Sequence, residues 1–167
     1  MSSDPESVAR QIGLSLLDRA PRTRADLATA MRRRGVPEDA ATAVLDRFVE
    51  VGLVDDEAFA VAWVDSRHHG RGLARRALAS ELRARGVSDQ VAKDALTAVS
   101  TEDEVIAAEA LVRRRLRSMS GLAPDVQTRR LVAMLGRKGF GGSLAYQAVA
   151  RVIGEVRDGV DGGSVSP

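Results

Sequence analysis

Apolar residues recur along this chain at the three- and four-residue spacing of an α-helix, and proline and glycine cut the runs. Asp4-Pro5 predicts an N-cap followed by proline at the first helical position. Val8, Ile12 and Leu16 then share a face, and Pro21 closes the helix. Thr23 with Asp26 has the spacing of a capping box. Leu27 and Met31 follow, with Gly35 as a stop. Pro37 opens a helix whose stripe is Ala41, Val44, Leu45, Phe48 and Val49, ended by Gly52. Asp55 caps the next, with Phe59, Ala62, Trp63 and Ser66 on one face, and a turn is predicted from His68 to Gly72. Leu78 and Leu82 lead to a stop at Gly86; Ser88 caps a helix with Val91, Ala95, Leu96 and Val99. Thr101 with Glu104 reads as another capping box, opening a helix with Val105, Ala108, Val112 and Leu116. After Gly121–Pro124 come Leu131 and Leu135, a stop at Gly139, and a stripe of Leu144, Ala145, Ala148, Val149, Val152 and Ile153.

Nine helices result, and they repeat. Leu27-x3-Met31-x3-Gly35-Val36, Leu78-x3-Leu82-x3-Gly86-Val87 and Leu131-x3-Leu135-x3-Gly139-Phe140 share one pattern. The period is about 50 residues, which buries only a marginal core, so the three units are expected to stack or share helices. The glycine marks a left-handed position between the second and third helix of each unit, after which an apolar residue can fold back. The predicted fold is all-α: three tandem three-helix repeats over 6–53, 54–100 and 101–154 in an elongated, curved array, with 155–167 a disordered Gly/Ser-rich tail.

Composition supports helix over sheet. Of 167 residues 44% are hydrophobic but only 3% aromatic. With no cysteine, disulfides, iron–sulfur clusters and thiolate zinc sites are excluded. No apolar run has the length of a membrane span and the N-terminus lacks a signal-peptide pattern, which predicts a soluble, cytoplasmic protein. Charge is unevenly distributed. Residues 1–58 carry 8 basic and 11 acidic groups (net −3), 59–154 carry 16 and 9 (net +7), and 155–167 carry 1 and 3 (net −2). A basic body behind an acidic front predicts an anionic partner or one with its own charge pattern.

Catalytic chemistry finds little support. No phosphate-binding loop motif is present, and Gly70-Arg71-Gly72 and Gly139-Phe140-Gly141-Gly142 follow no strand, so they read as turns. Asp55-Asp56-Glu57 stands at a helix start, where carboxylates meet free N–H groups and the dipole. Adjacent His68 and His69 diverge and suit a turn or a partner contact better than a metal. Trp63 reads as core, with an interface role as the alternative. No catalytic residue, cofactor or metal is expected.

The arginine clusters are the candidates. Arg32-Arg33-Arg34 ends one second helix; Arg83 and Arg85 end the next, with Arg75 and Arg76 two turns earlier. Arg129, Arg130, Arg137 and Lys138 repeat that arrangement, and Arg113-Arg114-Arg115 with Arg117 adds a cluster. Dipole complementation accounts for Arg34, Arg85 and Lys138 but not readily for Arg75, Arg76, Arg129 and Arg130. A partner-binding surface and a solvated face both remain open. The helix–Gly turn–helix units also resemble DNA-reading helix-turn-helix motifs, but 37–51 is acidic and alanine-rich and 144–153 largely apolar, which argues against base readout and leaves phosphate contact possible.

The middle of the chain resembles the RecX family of recombination regulators. The residues that carry this are Gly52-Leu53-Val54-Asp55-Asp56, Phe59-Ala60, Trp63-Val64 and Ser66-Arg67, then Gly70, Gly72, Leu78, Glu81-Leu82 and Arg85-Gly86-Val87. Arg137-Lys138-Gly139-Phe140 is similar to that family's last repeat, and the resemblance spans roughly 9–154. The departures are the long loop Ser118–Pro124 and Gly141-Gly142, where a capping polar residue would be expected. The resemblance implies a non-enzymatic regulator that binds RecA and the RecA filament on single-stranded DNA; separately, the narrow buried stripes and the lack of a sustained heptad predict a monomer. Such proteins restrain ATP hydrolysis, strand exchange and the SOS co-protease activity. On that reading Arg67, Arg71, Arg75, Arg76, Arg83, Arg85, Arg113, Arg114, Arg117, Arg129, Arg130, Arg137 and Lys138 are candidate filament contacts, with weak direct DNA contact possible. The alternatives are a nucleic-acid-binding helical protein acting without RecA, and a scaffold unrelated to recombination.

Overall fold

The computed structural model describes residues 4–161. Nine α-helices and one 3-10 turn make up the described chain: α1 Pro5–Leu17, α2 Arg24–Arg33, α3 Glu38–Glu50, α4 Asp56–Arg71, α5 Arg75–Ala84, α6 Asp89–Leu96, α7 Thr101–Leu116, the 3-10 turn Arg117–Met119, α8 Pro124–Arg137 and α9 Gly142–Asp161. Two compact units form, one from residues up to Asp65 with Ala79–Leu96, the other from Ser66–Leu78 with the chain from Thr97 onward. The division falls inside α4 and α5, not between repeats.

In the first unit α1 packs on α2 and α3 around Ala9, Leu27, Met31, Val44, Leu45 and Phe48. Gly13 of α1 is buried because Phe48 and Met31 occupy the space a Cβ would need. In the second unit α7, α8 and α9 close over Val112, Leu131, Leu135, Val149 and Val152.

Helix starts follow the predicted caps. Asp4 accepts from Ser7 N, and Thr23 and Asp26 form a reciprocal box. Asp55 accepts from Ala58 N, and Ser88 Oγ from Val91 N at 3.3 Å. One cap differs. Ser100 and Asp103, not Thr101 and Glu104, form the box at the start of α7. Glu104 is committed elsewhere: its Oε1 accepts the N–H of Arg75, the first residue of α5, at 2.8 Å. Asp56 does the same for Arg24, the first residue of α2, at 2.9 Å. A carboxylate on the first helix of one repeat therefore satisfies an orphan donor of the preceding repeat's second helix.

The three glycine stops share one geometry. Gly35, Gly86 and Gly139 have φ of 78°, 74° and 91°. The N–H that follows each reaches back to Met31, Leu82 or Leu135 O, each at 3.1 Å, and Val36, Val87 and Phe140 are buried there.

Four other expectations are corrected. His68-His69-Gly70 belong to α4, which runs to Arg71, so the turn narrows to Gly72 with φ 63°. The inward line of α4 is Phe59, Ala60, Val64 and His68; Ala62 and Ser66 are exposed and Trp63 is half-buried. A Trp N–H needs a polar partner, which the edge of the core supplies. Val49 is also exposed. The tail expected to be disordered from residue 155 is helical through Asp161: α9 continues past Gly154 and Gly159 beyond the buried Val152 and Ile153, with Val156 and Val160 exposed. Residues 162–167 of that expected tail lie outside the described residues.

Candidate functional site

The candidate cations divide into those that hold the fold and those that face solvent. Arg85 belongs to the first group. Its guanidinium pairs with Asp26 at 3.1 Å and lies 5.0 Å from the Trp63 ring centroid and 5.5 Å from that of Phe59. Trp63 stacks on Phe59 at 5.6 Å and donates its Nε1–H to Glu81 Oε2 at 2.8 Å. The Arg85 carbonyl accepts from Thr23 Oγ1 at 2.7 Å, and Thr23 is fully buried. This cluster joins α2, α4 and the end of α5, so Trp63 and Arg85 act in packing.

Arg75 is also committed, through its backbone and through an ion pair with Glu104 at 3.1 Å. Lys138 donates to Arg71 O at 3.1 Å, and its own carbonyl accepts from Ala74 N at 3.0 Å. Arg113 bridges Glu109 at 3.2 Å and Glu155 at 3.0 Å. The hydrogen bond that Arg113 donates to Glu155 holds its guanidinium above its ordinary pKa. Arg151 meets the same buried Glu109, so two arginines compensate one carboxylate between α7 and α9. Arg83 faces Asp89 at 3.7 Å with both side chains exposed, a pair worth about 0–1 kcal/mol. Arg67 and Arg71 have interactions of their own.

The solvent-facing group is Arg76, Arg114, Arg115, Arg117, Arg129, Arg130 and Arg137, all exposed and all in the second unit. Three of them converge. Arg115 from the end of α7 and Arg130 and Arg137 from α8 line a cleft of about 190 Å³ with Met119, Ala133 and Met134. Arg130 and Arg137 are seven apart and share a helix face, whereas Arg129 is not part of the cleft lining. Arg115 was outside the expected contact set. Its sequence signal is its spacing, i+4 and i+3 from the buried Leu111 and Val112; that α8 lies beside it is seen only in the fold. Three guanidiniums around a small cleft, none with an ion-pair partner among the described residues, suit carboxylates or phosphates.

Metal chemistry has no comparable geometry: among the described residues no three His, Asp or Glu side chains converge on a metal position. The imidazole of His68 is buried and donates from Nδ1 to Leu73 O at 2.9 Å, closing the end of α4. Asp103 accepts from Ser100 N and Oγ, both at 2.7 Å. Those bonds hold its carboxyl below the usual aspartate range, backbone bond first, and the two histidines add to the effect. No described helix is long and apolar enough to cross a membrane.

Comparison with known proteins fits this architecture. Family models for the first, second and third three-helix domains of RecX match residues 9–48, 55–96 and 102–149. The chain belongs to the RecX family. The regulatory protein RecX of Thermobifida fusca is 54% identical over 89% of this chain and 82% of that protein. The Streptomyces coelicolor RecX is 52% identical over 91% and 81%, and that of Mycolicibacterium smegmatis 46% identical over 92% and 84%. The crystal structure of RecX from Lactobacillus salivarius superposes with a TM-score of 0.80, covering 90% of this chain and 98% of that one, at 18% identity. That likeness concerns the fold: three RecX three-helix domains in tandem, with no strand among the described residues.

Proposed function

We propose that this RecX-family chain regulates RecA by binding the recombinase and its filament on single-stranded DNA, restraining ATP hydrolysis, strand exchange and co-protease activity. It acts in the cytoplasm by occupancy and not by catalysis. Family membership supports the regulatory role. The observation that carries the binding surface is the cleft of Arg115, Arg130 and Arg137. Such guanidiniums have yet to be neutralised within the chain, so a partner's carboxylates or phosphates gain charge-assisted bonds there. Small modules touching successive protomers of a helical polymer add weak contacts through effective concentration.

The binding set is revised accordingly. Arg75 and Arg85 hold repeats together, so reversing them would damage the fold. Arg115, Arg130 and Arg137, with Arg76, replace them as contacts.

The test is titration into RecA assembled on single-stranded DNA, following ATP hydrolysis, with a matched bare-DNA assay. Inhibition below one chain per RecA protomer is expected. The combined substitution Arg115→Glu, Arg130→Glu and Arg137→Glu is expected to weaken binding at least about tenfold, equivalent to about 1.4 kcal/mol, with an unchanged melting curve. Full inhibition by that variant would refute the assignment of the cleft. No inhibition by the parent, with tight and steeply salt-dependent bare-DNA binding, would favour a nucleic-acid-binding protein that acts without RecA.

A further inference from the structure

The three second helices end alike but are not used alike. α5 and α8 each end on a carbonyl that accepts from the first turn of the preceding repeat's second helix. Arg85 O accepts from Thr23 Oγ1 at 2.7 Å, and Lys138 O from Ala74 N at 3.0 Å. The next residue in each is a glycine lying against an alanine of that incoming turn. Gly86 meets Ala25, and a Cβ on Gly139 would stand 2.6 Å from Ala77 Cβ and 2.6 Å from its backbone N. Arg85 also pairs with Asp26 of the incoming turn.

α2 ends with the same backbone. Gly35 has φ 78° and Val36 N bonds Met31 O. Arg34 stands where Arg85 stands in the second repeat. Yet nothing lies within 4 Å of a Cβ placed on Gly35. Arg32, Arg33 and Arg34 are exposed and have no ion-pair partner among the described residues. The surface is thus shaped for an occupant that none of the described residues supplies.

We infer that the Arg34–Gly35 end of α2 is a docking site for the N-terminal turn of a helix on a partner protein. That turn carries a small residue, which sits on Gly35, and a carboxylate, which pairs with Arg34. The two internal junctions define the occupant: both seat a helix N-terminus, both place alanine on the glycine, and one adds the carboxylate. Three arginines favour an acidic first turn, whose N–H dipole end also prefers negative charge. A second copy of this chain is a poor occupant through its own second helices. The first turns of α2 and α5 are already seated. α8 begins one turn earlier relative to its buried leucine, so Thr128, the position equivalent to Arg24 and Arg75, lies inside the helix. Taking RecA as the partner rests on the function proposed above.

The test compares the full chain with Gly35→Asn, Arg34→Glu and Gly52→Asn for binding to RecA on single-stranded DNA by anisotropy of a labelled chain. Gly35 and Gly52 both have φ 78° and open space around a Cβ, so the two asparagine variants carry the same backbone cost and should melt alike. Gly35→Asn and Arg34→Glu are each expected to weaken filament binding about tenfold or more, with Gly52→Asn at parental affinity. Parental binding by Gly35→Asn would overturn helix docking, including the case in which Arg34→Glu alone weakens binding, since charge without shape would then suffice. Absence of binding by the parent would instead overturn the RecA reading and this assignment of its partner with it.

Discussion

Replacing Gly139 by alanine measures how closely the repeats are stacked. The substitution has two costs. At φ 91° an alanine is in the left-handed region, which costs about 1–2 kcal/mol, offset by about 0.4–1 kcal/mol from a stiffer unfolded chain. The new Cβ also stands 2.6 Å from the backbone N of Ala77 and 3.1 Å from its Cα. Backbone cannot rotate away as a flexible side chain can, so α5 or the loop must shift, at about 1–3 kcal/mol. Gly35→Ala has only the first cost, because its Cβ enters open space at φ 78°. The expected losses are about 2–4 kcal/mol for Gly139→Ala and about 1 kcal/mol for Gly35→Ala, out of roughly 5–15 kcal/mol for a domain. Urea unfolding followed by ellipticity at 222 nm reads both, and an unchanged slope confirms that the midpoint shift reports stability. Adding Ala77→Gly to Gly139→Ala should recover part of the loss, since it removes the Cβ contact but leaves the backbone one. Equal losses at positions 35 and 139 would refute the claim that a neighbouring repeat requires the glycine.

Other outcomes follow from the junctions and caps. Thr23→Val removes both the cap on Asp26 N and the donor to Arg85 O, so it should lower unfolding free energy by about 1–3 kcal/mol; a loss confined to a few tenths in urea melts would show the buried hydroxyl to be dispensable. For Asp103, a folded pKa below the unfolded one means that its stabilisation is present above the ordinary aspartate pKa and is lost as pH falls through the lowered folded value. The parent's advantage over Asp103→Asn in urea midpoint should therefore be full at pH 7 and shrink below about pH 4, and an advantage independent of pH would contradict the assignment.

Much of the fold was legible because it is local. Asp4, Thr23, Asp55 and Ser88 cap within three residues of themselves, and each glycine stop closes on the helix before it. What was not legible shares a cause as well. Spacing places Glu104 in a cap at its own helix start, but it serves Arg75, 29 residues away in sequence. Local spacing cannot display that Arg75 pairs with Glu104 and Arg85 with Asp26. Nor can it display that Arg115 shares a cleft with Arg130 and Arg137, which lie on another helix.

The amino-acid order by itself determined the nine helices of the described residues, most of their caps and stops, the three-fold repetition and the exclusion of thiolate and disulfide chemistry. These rest on hydrogen bonds and periodicities that span a few residues, which is the range over which sequence acts directly. Tertiary structure decided which cations of the described residues remain unneutralised and why Gly86 and Gly139 face a neighbour while Gly35 faces open space. Those outcomes depend on pairings between residues far apart in the chain: the energy of a guanidinium or an exposed carbonyl is set by what the fold places beside it.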